Sequence, residues 1–350
     1  MKKSVGAVLR NLNGPVLITG HTGFKGTWLT RLLGQLEVEV VGFSLPTLGD
    51  ELYVRSGLKG QIREEFSDIC DFESINGFVQ STKPGAIIHL AGQSLVLESY
   101  KNPLQTFNTN VMGTANLLEA ARICQETEST LIATTDKVYQ NLETGERFTE
   151  LSPLLGRDPY SASKVGTENV AVAWRNLSPG QKNSNISVVR SGNVIGGGDY
   201  SRDRLIPDLV RAHQSGACLE IRSPESTRPW QHVLDPLLGY ILALEKSIST
   251  QTPEIYNFGP SEPSLSVKEV LAHTQNIWTD ISFKVMTDIS SHESRYLELD
   301  GAKARRYLNW EPKYDQKAAI TLTLQWWDRV LAKKVTTKEA IDWDILNFLS

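Results

Sequence analysis

Short, uninterrupted apolar runs recur along the first half of the chain, separated by stretches whose apolar residues return every three to four positions. Residues 16–19, 38–43, 86–91 and 130–134 are of the first kind and predict strands. Residues 26–36 and 102–123 are of the second and predict helices, the latter stopping early only if Gly113 breaks it. Strand and helix alternating in this way point to parallel βαβ units, because parallel neighbours need a crossover. The strands are apolar throughout instead of alternating, as expected when helices cover both faces of the sheet. Residues 187–190 add another strand. The texture then changes: Gly196, Gly197 and Gly198 stand together, and Pro207, Pro224, Pro229 and Pro236 punctuate the next stretch of chain. Residues 255–258 read as one more strand, with shorter helices to the end. The pattern predicts an α/β protein: a doubly wound parallel sheet over residues 1–190, to which the strand near 255–258 returns, and a smaller, interleaved lobe drawn mainly from 191–350. No internal repeat or low-complexity segment interrupts this layout.

Composition narrows the classes. A chain of 350 residues, 40% hydrophobic and 22% charged, suits a folded protein of roughly two domains, or one large domain with an added lobe. Lys and Arg total 36 against 40 Asp and Glu, a net charge of −4, which provides no overall attraction to nucleic acid or anionic lipid. Cys70, Cys124 and Cys218 form an odd, widely spaced set without a disulfide framework or metal-ligand spacing, which points to a reducing compartment. No run approaches the ~18 apolar residues of a membrane span. The start, Met1-Lys2-Lys3, mimics a signal peptide, but the apolar stretch 5–9 is cut short by Arg10 and reads as a plain extension. A cytoplasmic protein with neither nucleic-acid nor membrane partners, and no metal, is the expectation.

The chemistry begins with TGHTGFKG, which sets Gly20, Gly23 and Gly26 between the first strand and the first helix. Glycine there permits positive φ, lets backbone N–H groups approach a pyrophosphate, and allows tight helix packing. The helix N-terminus adds positive partial charge. Strand before, helix after and a βαβ unit around it make this a dinucleotide loop of the Rossmann type. The acid usually found about 20 residues on is replaced by Ser44, with no arginine beside it, so the loop does not itself decide between NAD and NADP. Asp68 and Asp71 remain to contact the adenine end, or else to shape a solvated turn. Tyr160 and Lys164 in YSASK lie four apart, hence adjacent on one helix face. An ammonium beside a phenol lowers its pKa from about 10 toward working pH, and the same lysine is placed to reach a nicotinamide ribose.

The glycine loop and the Tyr-x-x-x-Lys pair together resemble the extended short-chain dehydrogenase/reductase family. HLAGQS (89–94), NTNVMGTANLLEA (108–120) and TTDKVY (134–139) are similar to its nucleotide-sugar dehydratases. GHTGFKGTWL, RSGNVIGGGDYSRDRLIPD (190–208) and RPWQHVLDP (228–236) are similar to the group acting on CDP-glucose. The resemblance covers residues 15 to 330. It implies a Rossmann domain with a C-terminal substrate-binding lobe, NAD as cofactor, a nucleotide-diphosphate sugar (CDP-glucose favoured) as substrate, and a homodimer paired through helices over 102–123 and 160–174. The reaction implied is oxidation at C4, loss of water across C5 and C6, and return of the hydride to C6. Tyr160 and Lys164 then act at C4, Thr135 bonds the 4-oxygen, Asp136 is the protonated acid, and Lys137 is the C5 base, unless it merely pairs with Asp136 or a phosphate. For the cofactor, the resemblance implies Gly20, Thr22, Gly23, Phe24, Lys25 and Gly26 on the loop and Ser44, Asp68 and Ile69 toward the adenine. Leu90, Ala91, Gln93, Thr109 and Thr134 complete the cofactor set with Tyr160 and Lys164. For the substrate it implies Asn193, Arg204, Leu205, Arg222, Arg228, His232 and Tyr296, arginine forks suiting phosphate oxygens. Gly92, Ser94, Ser191 and Tyr200 depart from the usual alanine, proline, alanine and tryptophan, the first two near the nicotinamide and sugar. Trp326 and Trp327 read as packing residues, and His89 as a satisfied interior histidine. A nucleotide-sugar epimerase of the same fold and a non-catalytic NAD-binding protein are the other readings; two ionisable groups at 136 and 137 favour the dehydratase.

Overall fold

A computed structural model describes residues 4–47, 49, 51–177, 185–286 and 294–350. Seven strands form one sheet: β1 (Val16–Thr19), β2 (Val40–Ser44), β3 (Arg63–Phe66), β4 (Ala86–His89), β5 (Ser129–Ala133), β6 (Ile186–Ser191) and β7 (Ile255–Phe258). Their order is β7-β6-β5-β4-β1-β2-β3, and every neighbouring pair is parallel. The chain runs outward in one direction to β3 and then returns to the far side of β1, so the order reverses between β1 and β4. Register brings Thr19 level with both Phe43 and His89, so the carboxyl ends of β2, β1 and β4 form one edge. In doubly wound sheets that edge is where ligands bind.

The helices that matter are α1 (Phe24–Gln35), α2 (Phe72–Thr82), α3 (Gly113–Ile123), α4 (Pro159–Leu177), α5 (Leu205–Ser215), α6 (Leu234–Thr250), α7 (Gln316–Leu331) and α8 (Thr337–Leu349). Side chains of a strand alternate between faces. Val16 and Ile18 of β1 accordingly enter one core with Trp28 and Leu32 of α1 and Leu237 and Ile241 of α6. Leu17 enters the opposite core with Ile75 of α2 and Leu117 of α3. The first core continues without a break into Trp326 and Trp327 of α7 and Phe348 of α8, so the C-terminal helices close over the same side of the sheet.

The uniformly apolar runs locate six of the seven strands to within two residues at each end. Residues 38 and 39 are not strand, because the Val38 N–H turns back to Leu33 O (3.0 Å) and closes α1. β3 carries the sequence REEF, which no apolar pattern marks. It is an edge strand, paired on one side only and largely exposed, so it needs no apolar residues. Residues 103–123 stay helical past Gly113, but with a π turn at Asn108–Met112 between Pro103–Phe107 and α3. That turn carries Asn110, whose buried amide accepts from Gln93 N (2.8 Å) and donates to Gln93 O (3.0 Å) and Ser163 Oγ (2.8 Å). Among the described residues no helix is long and apolar enough to cross a membrane.

Asp235, in the first turn of α6, accepts from Lys313 N (2.6 Å) and is otherwise enclosed, and burial raises its pKa to about 7. The folded chain thus holds this proton more tightly than the unfolded chain, and Asp235 makes stability fall as pH rises from about 4 to about 7. Asp235→Asn should remove that component: relative to wild type, its unfolding free energy in urea should improve by about 2–3 kcal/mol between pH 5 and pH 8. A difference independent of pH would mean that Asp235 is ionised when buried.

Candidate active site

A cavity of about 700 Å³ opens over the carboxyl ends of β1, β4, β5 and β6. Gly20, Gly23 and Gly26 form one wall. Gly20 has φ +73°, and a Cβ there would meet Ala91 N at 2.7 Å; at Gly26 a Cβ would lie 2.1 Å from Gly20 O. Both are glycines because the loop is pressed against the segment after β4 and against its own first residues. At Gly23, which is exposed, a Cβ would meet only Gly20 O at 3.3 Å, so this residue leaves the loop open toward the cavity at the N-terminus of α1. A pyrophosphate fits such a cradle, by close backbone approach and helix-end charge.

After β5, Thr135 caps the short turn Asp136–Val138, accepting from Lys137 N (3.3 Å) and donating to Asp136 Oδ1 (3.0 Å). The second Asp136 oxygen has no hydrogen-bond partner among the described residues and lies 3.0 Å from where a Cβ on Gly192 would stand. Burial pushes the Asp136 pKa up, against the pull of Lys137, the Thr135 hydroxyl, Arg228 and Lys25. Lys137 is half-buried and faces the cavity. Opposite, α4 presents Tyr160 and Lys164 one turn apart, with Glu168 a further turn along. Burial lowers the Lys164 pKa to about 8, helped by Lys25 and opposed by Glu168. Its ammonium lies 3.5 Å from Ala133 O.

The expected effect of Lys164 on Tyr160 needs correction. Burial raises the phenol to about 12, with the Thr135 hydroxyl pulling the other way, and Lys164 is not among the charges that act on it most. The chain's own groups hold the phenol neutral.

The cavity gathers Gly20, Gly23, Phe24, Lys25, Gly26, Leu90 and Thr134 with Thr135, Asp136, Lys137, Tyr160 and Lys164, and on its far side Asn193, Arg204, Leu205, Arg222 and Arg228. Arg204 reaches Asp199 (3.2 Å) and Ser94 Oγ (3.2 Å), and Arg222 pairs with Asp203 (3.2 Å). Arg228 is 4% exposed, with Nη1 donating to Thr227 O. Other expected residues lie outside the lining. Thr22 and Ser44 bond each other (2.7 Å) at the end of β2, and Asp68 accepts from Cys70 N (2.9 Å) beside buried Ile69. Asp71 caps α2 through Ser74 N, the turn-shaping role. Ala91 backs Gly20, Gln93 spends its amide on Leu95 and Thr106, and Thr109 lies in the π turn.

Two expected substrate residues are also outside the lining. His232 is fully buried and neutral, burial lowering its pKa to about 3, with its ring edge-on to Trp28 and Tyr314. It is a core residue. Tyr296 is not among the lining residues; its N–H donates to Glu143 and its carbonyl accepts from Asn141. His89 is interior and satisfied by Thr19 (2.6 Å) and Thr114 (3.0 Å). Motif reading missed Glu168 and Arg190, which brace the site from below. A second Tyr160-like spacing, Lys164 to Glu168, and an arginine inside an apolar strand were the available signals. It also missed Leu97 and Tyr100 at the rim.

Sheet order, glycine loop and the Tyr160–Lys164 pair define a short-chain dehydrogenase/reductase of the extended type, with a lobe beyond the sheet. Within that class the chain belongs to the GDP-mannose 4,6 dehydratase family, which matches residues 17–323. It is 38% identical over 322 residues to a CDP-glucose 4,6-dehydratase of Salmonella typhimurium, covering 89% of each chain. A probable dTDP-glucose 4,6-dehydratase of Sinorhizobium fredii is 27% identical, over 93% of this chain and 98% of the relative. Among solved structures, a dTDP-glucose 4,6-dehydratase from Bacillus anthracis in complex with NAD superposes with a TM-score of 0.77 at 24% identity, over 91% of this chain and 98% of that one. A UDP-glucose-4-epimerase from Stenotrophomonas maltophila superposes at 0.81 and 20%, over 92% and 100%. These two share the fold.

Gly26→Ala tests the loop packing. Its Cβ would run into the Gly20–His21 backbone, so urea unfolding should show a loss of about 2–4 kcal/mol. A loss below about 0.5 kcal/mol would show that the loop moves freely off α1.

Proposed function

We propose that the protein is an NAD-dependent nucleotide-sugar 4,6-dehydratase, a hydro-lyase acting on CDP-glucose in the cytoplasm as a homodimer. The observation that carries this reading is the buried Asp136, its pKa raised, set beside Lys137 and opposite Tyr160 in one cavity. The 38% identity to a CDP-glucose 4,6-dehydratase supports the substrate. NAD, when bound, supplies the acceptor for the C4 hydride and gives it back at C6, so the cofactor is unchanged overall.

The chain's own residues do the rest. Gly20, Gly23, Phe24, Lys25 and Gly26 hold the pyrophosphate, with Leu90, Thr134 and Lys164 beyond it, and Thr22, Ser44, Asp68, Ile69, Ala91, Gln93 and Thr109 shape the adenosine and nicotinamide ends. Thr135 bonds the sugar 4-oxygen while Tyr160 takes the 4-hydroxyl proton. A phenol held near 12 needs positive charge brought into the cavity before it ionises readily. The resulting 4-ketone acidifies C5–H. Lys137 takes that proton, and Asp136 gives its own to the departing 6-hydroxyl, which leaves as water. A carboxyl kept protonated by burial is suited to that donation. Asn193, Arg204, Leu205, Arg222 and Arg228, in a lobe drawn from residues 191–350, hold the nucleotide diphosphate.

Incubation with NAD⁺ and, separately, CDP-, dTDP-, UDP- and GDP-glucose should show loss of one water by mass spectrometry with CDP-glucose. An unchanged mass with a new hexose stereoisomer would make the protein an epimerase, and no change with any donor would leave binding alone. Lys137→Ala should still build up NADH absorbance while losing dehydration by about 10²-fold or more. Dehydration near the wild-type rate would remove Lys137 as the base. Support for the dimer comes from apolar side chains left exposed along the helical run 103–123 and on α4, including Leu104, Phe107, Met112 and Val172. Light scattering at micromolar concentration should return twice the 38.9 kDa chain mass; a monomer mass would refute the pairing.

A further inference from the structure

A hydrogen bond crosses the rim of the cavity from one wall to the other. Arg204, the residue before α5, donates through Nη2 to Ser94 Oγ (3.2 Å) in the segment that follows β4, while its Nη1 meets Asp199 (3.2 Å). Asp199 is buried and also accepts from Ser201 N (3.0 Å), so the guanidinium is held on its own side before it reaches across. Arg211 of α5 ties the same segment down, donating to Tyr200 O (3.3 Å) and Ser201 O (3.0 Å). On the other side, Asn110 holds both Gln93 N and Gln93 O. The short helix Val96–Lys101 is fixed to the head of α4, where the Tyr160 N–H donates to Ser99 Oγ (3.1 Å). Two separately anchored walls therefore meet at Ser94 and Arg204. The bond stands at the Tyr160 end of the cavity, and the Arg204 charge is among those that act on the Tyr160 phenol. Proline, the residue usual at position 94 in the family that the chain resembles, has no hydroxyl to accept such a bond.

We propose that the Ser94–Arg204 bond is a latch that keeps the cavity closed over the hexose from the first hydride transfer to the last, with Ser94 as a positioning residue that holds Arg204 in place. The proposal rests on the dehydratase reading of this cavity. In that reaction the sugar passes through a ketone and then an unsaturated form, and escape of either would leave the hydride behind. A reaction with no net change of oxidation state therefore needs its rim shut while the sugar is part-reacted. The bond suits this use. Its donor is charged, which strengthens it, but it lies at an exposed rim where water competes, so it opens readily once the product has formed. A guanidinium carries five N–H donors, so the bonds to Ser94 and Asp199 leave others for the nucleotide diphosphate.

The test compares wild type with Ser94→Ala, which removes the acceptor, and Ser94→Thr, which keeps it; position 94 is exposed, so both variants should fold. Hydrogen–deuterium exchange on the unliganded protein reads the latch itself. Amides over 92–97 and 199–205 should exchange about threefold faster or more in Ser94→Ala and at the wild-type rate in Ser94→Thr. Equal exchange in all three proteins would overturn the latch. With NAD⁺ and CDP-glucose, the NADH left on the enzyme per product formed should rise about threefold or more in Ser94→Ala and stay at the wild-type ratio in Ser94→Thr. A loss of rate with that ratio unchanged would mean that the bond does not retain the sugar, and would overturn the proposal. If wild type converts no nucleotide sugar, the dehydratase reading fails, and the exchange measurement still decides whether the bond closes the rim.

Discussion

The site depends on one buried ion pair. Arg190 of β6, 1% exposed, donates to both oxygens of Glu168 on α4 at 2.8 and 2.5 Å. Glu168 also accepts from Thr134 Oγ1 (2.7 Å), the residue before the Thr135–Asp136–Lys137 run. A further Arg190 nitrogen donates to Tyr139 OH (2.8 Å), which in turn donates to Asn257 on β7 (2.6 Å). Two charges taken out of water are costly unless each is met on several sides, and removing one partner leaves the other stranded. The network meets that demand by drawing on the segment after β5 and on α4, β6 and β7 together. These are the elements whose relative height sets Asp136 against Tyr160.

A second constraint comes from enclosure. Burial raises Asp136 and Tyr160 and lowers Lys164, so each group is pushed toward its neutral form. The same low dielectric makes each remaining charge act farther than it would in water. Lys25, Arg228 and the cations of the far wall are therefore the groups that tune the cluster. These protonation states are set by the chain alone, and a charged ligand resets them.

Much of this was legible in the chain because the signals were local. Six strands announced themselves as apolar runs, since a doubly covered sheet requires them. The glycine loop was legible because steric contact at Gly20 and Gly26 excludes every other residue. Tyr160 and Lys164 were legible through helical spacing read together with the glycine loop. What stayed hidden depended on tertiary partners. β3 is polar because it lies at an edge. Arg190 looked out of place in an apolar strand until Glu168 was seen beneath it. His232 was expected at the substrate by resemblance, but Trp28 and Tyr314, both distant in sequence, enclose it in the core. The phenol of Tyr160 was expected to respond to its helical neighbour, yet enclosure outweighs a lysine whose ammonium points to Ala133.

The π turn at Asn108–Met112 has a consequence for how this helix tolerates change in length. A wide turn accommodates one residue more than a regular one without breaking the helix. The segments on either side keep their phase because the wide turn absorbs the extra residue, so deleting one residue there would restore regular winding and leave Leu104 and Phe107 on the surface they now occupy. The cost would fall inside the turn, on Asn110, whose amide is held by Gln93 and Ser163. The same deletion in a regular turn would rotate everything before it by roughly 100° relative to α3. In such a helix the wide turn is where the loss of one residue disturbs the outer packing least.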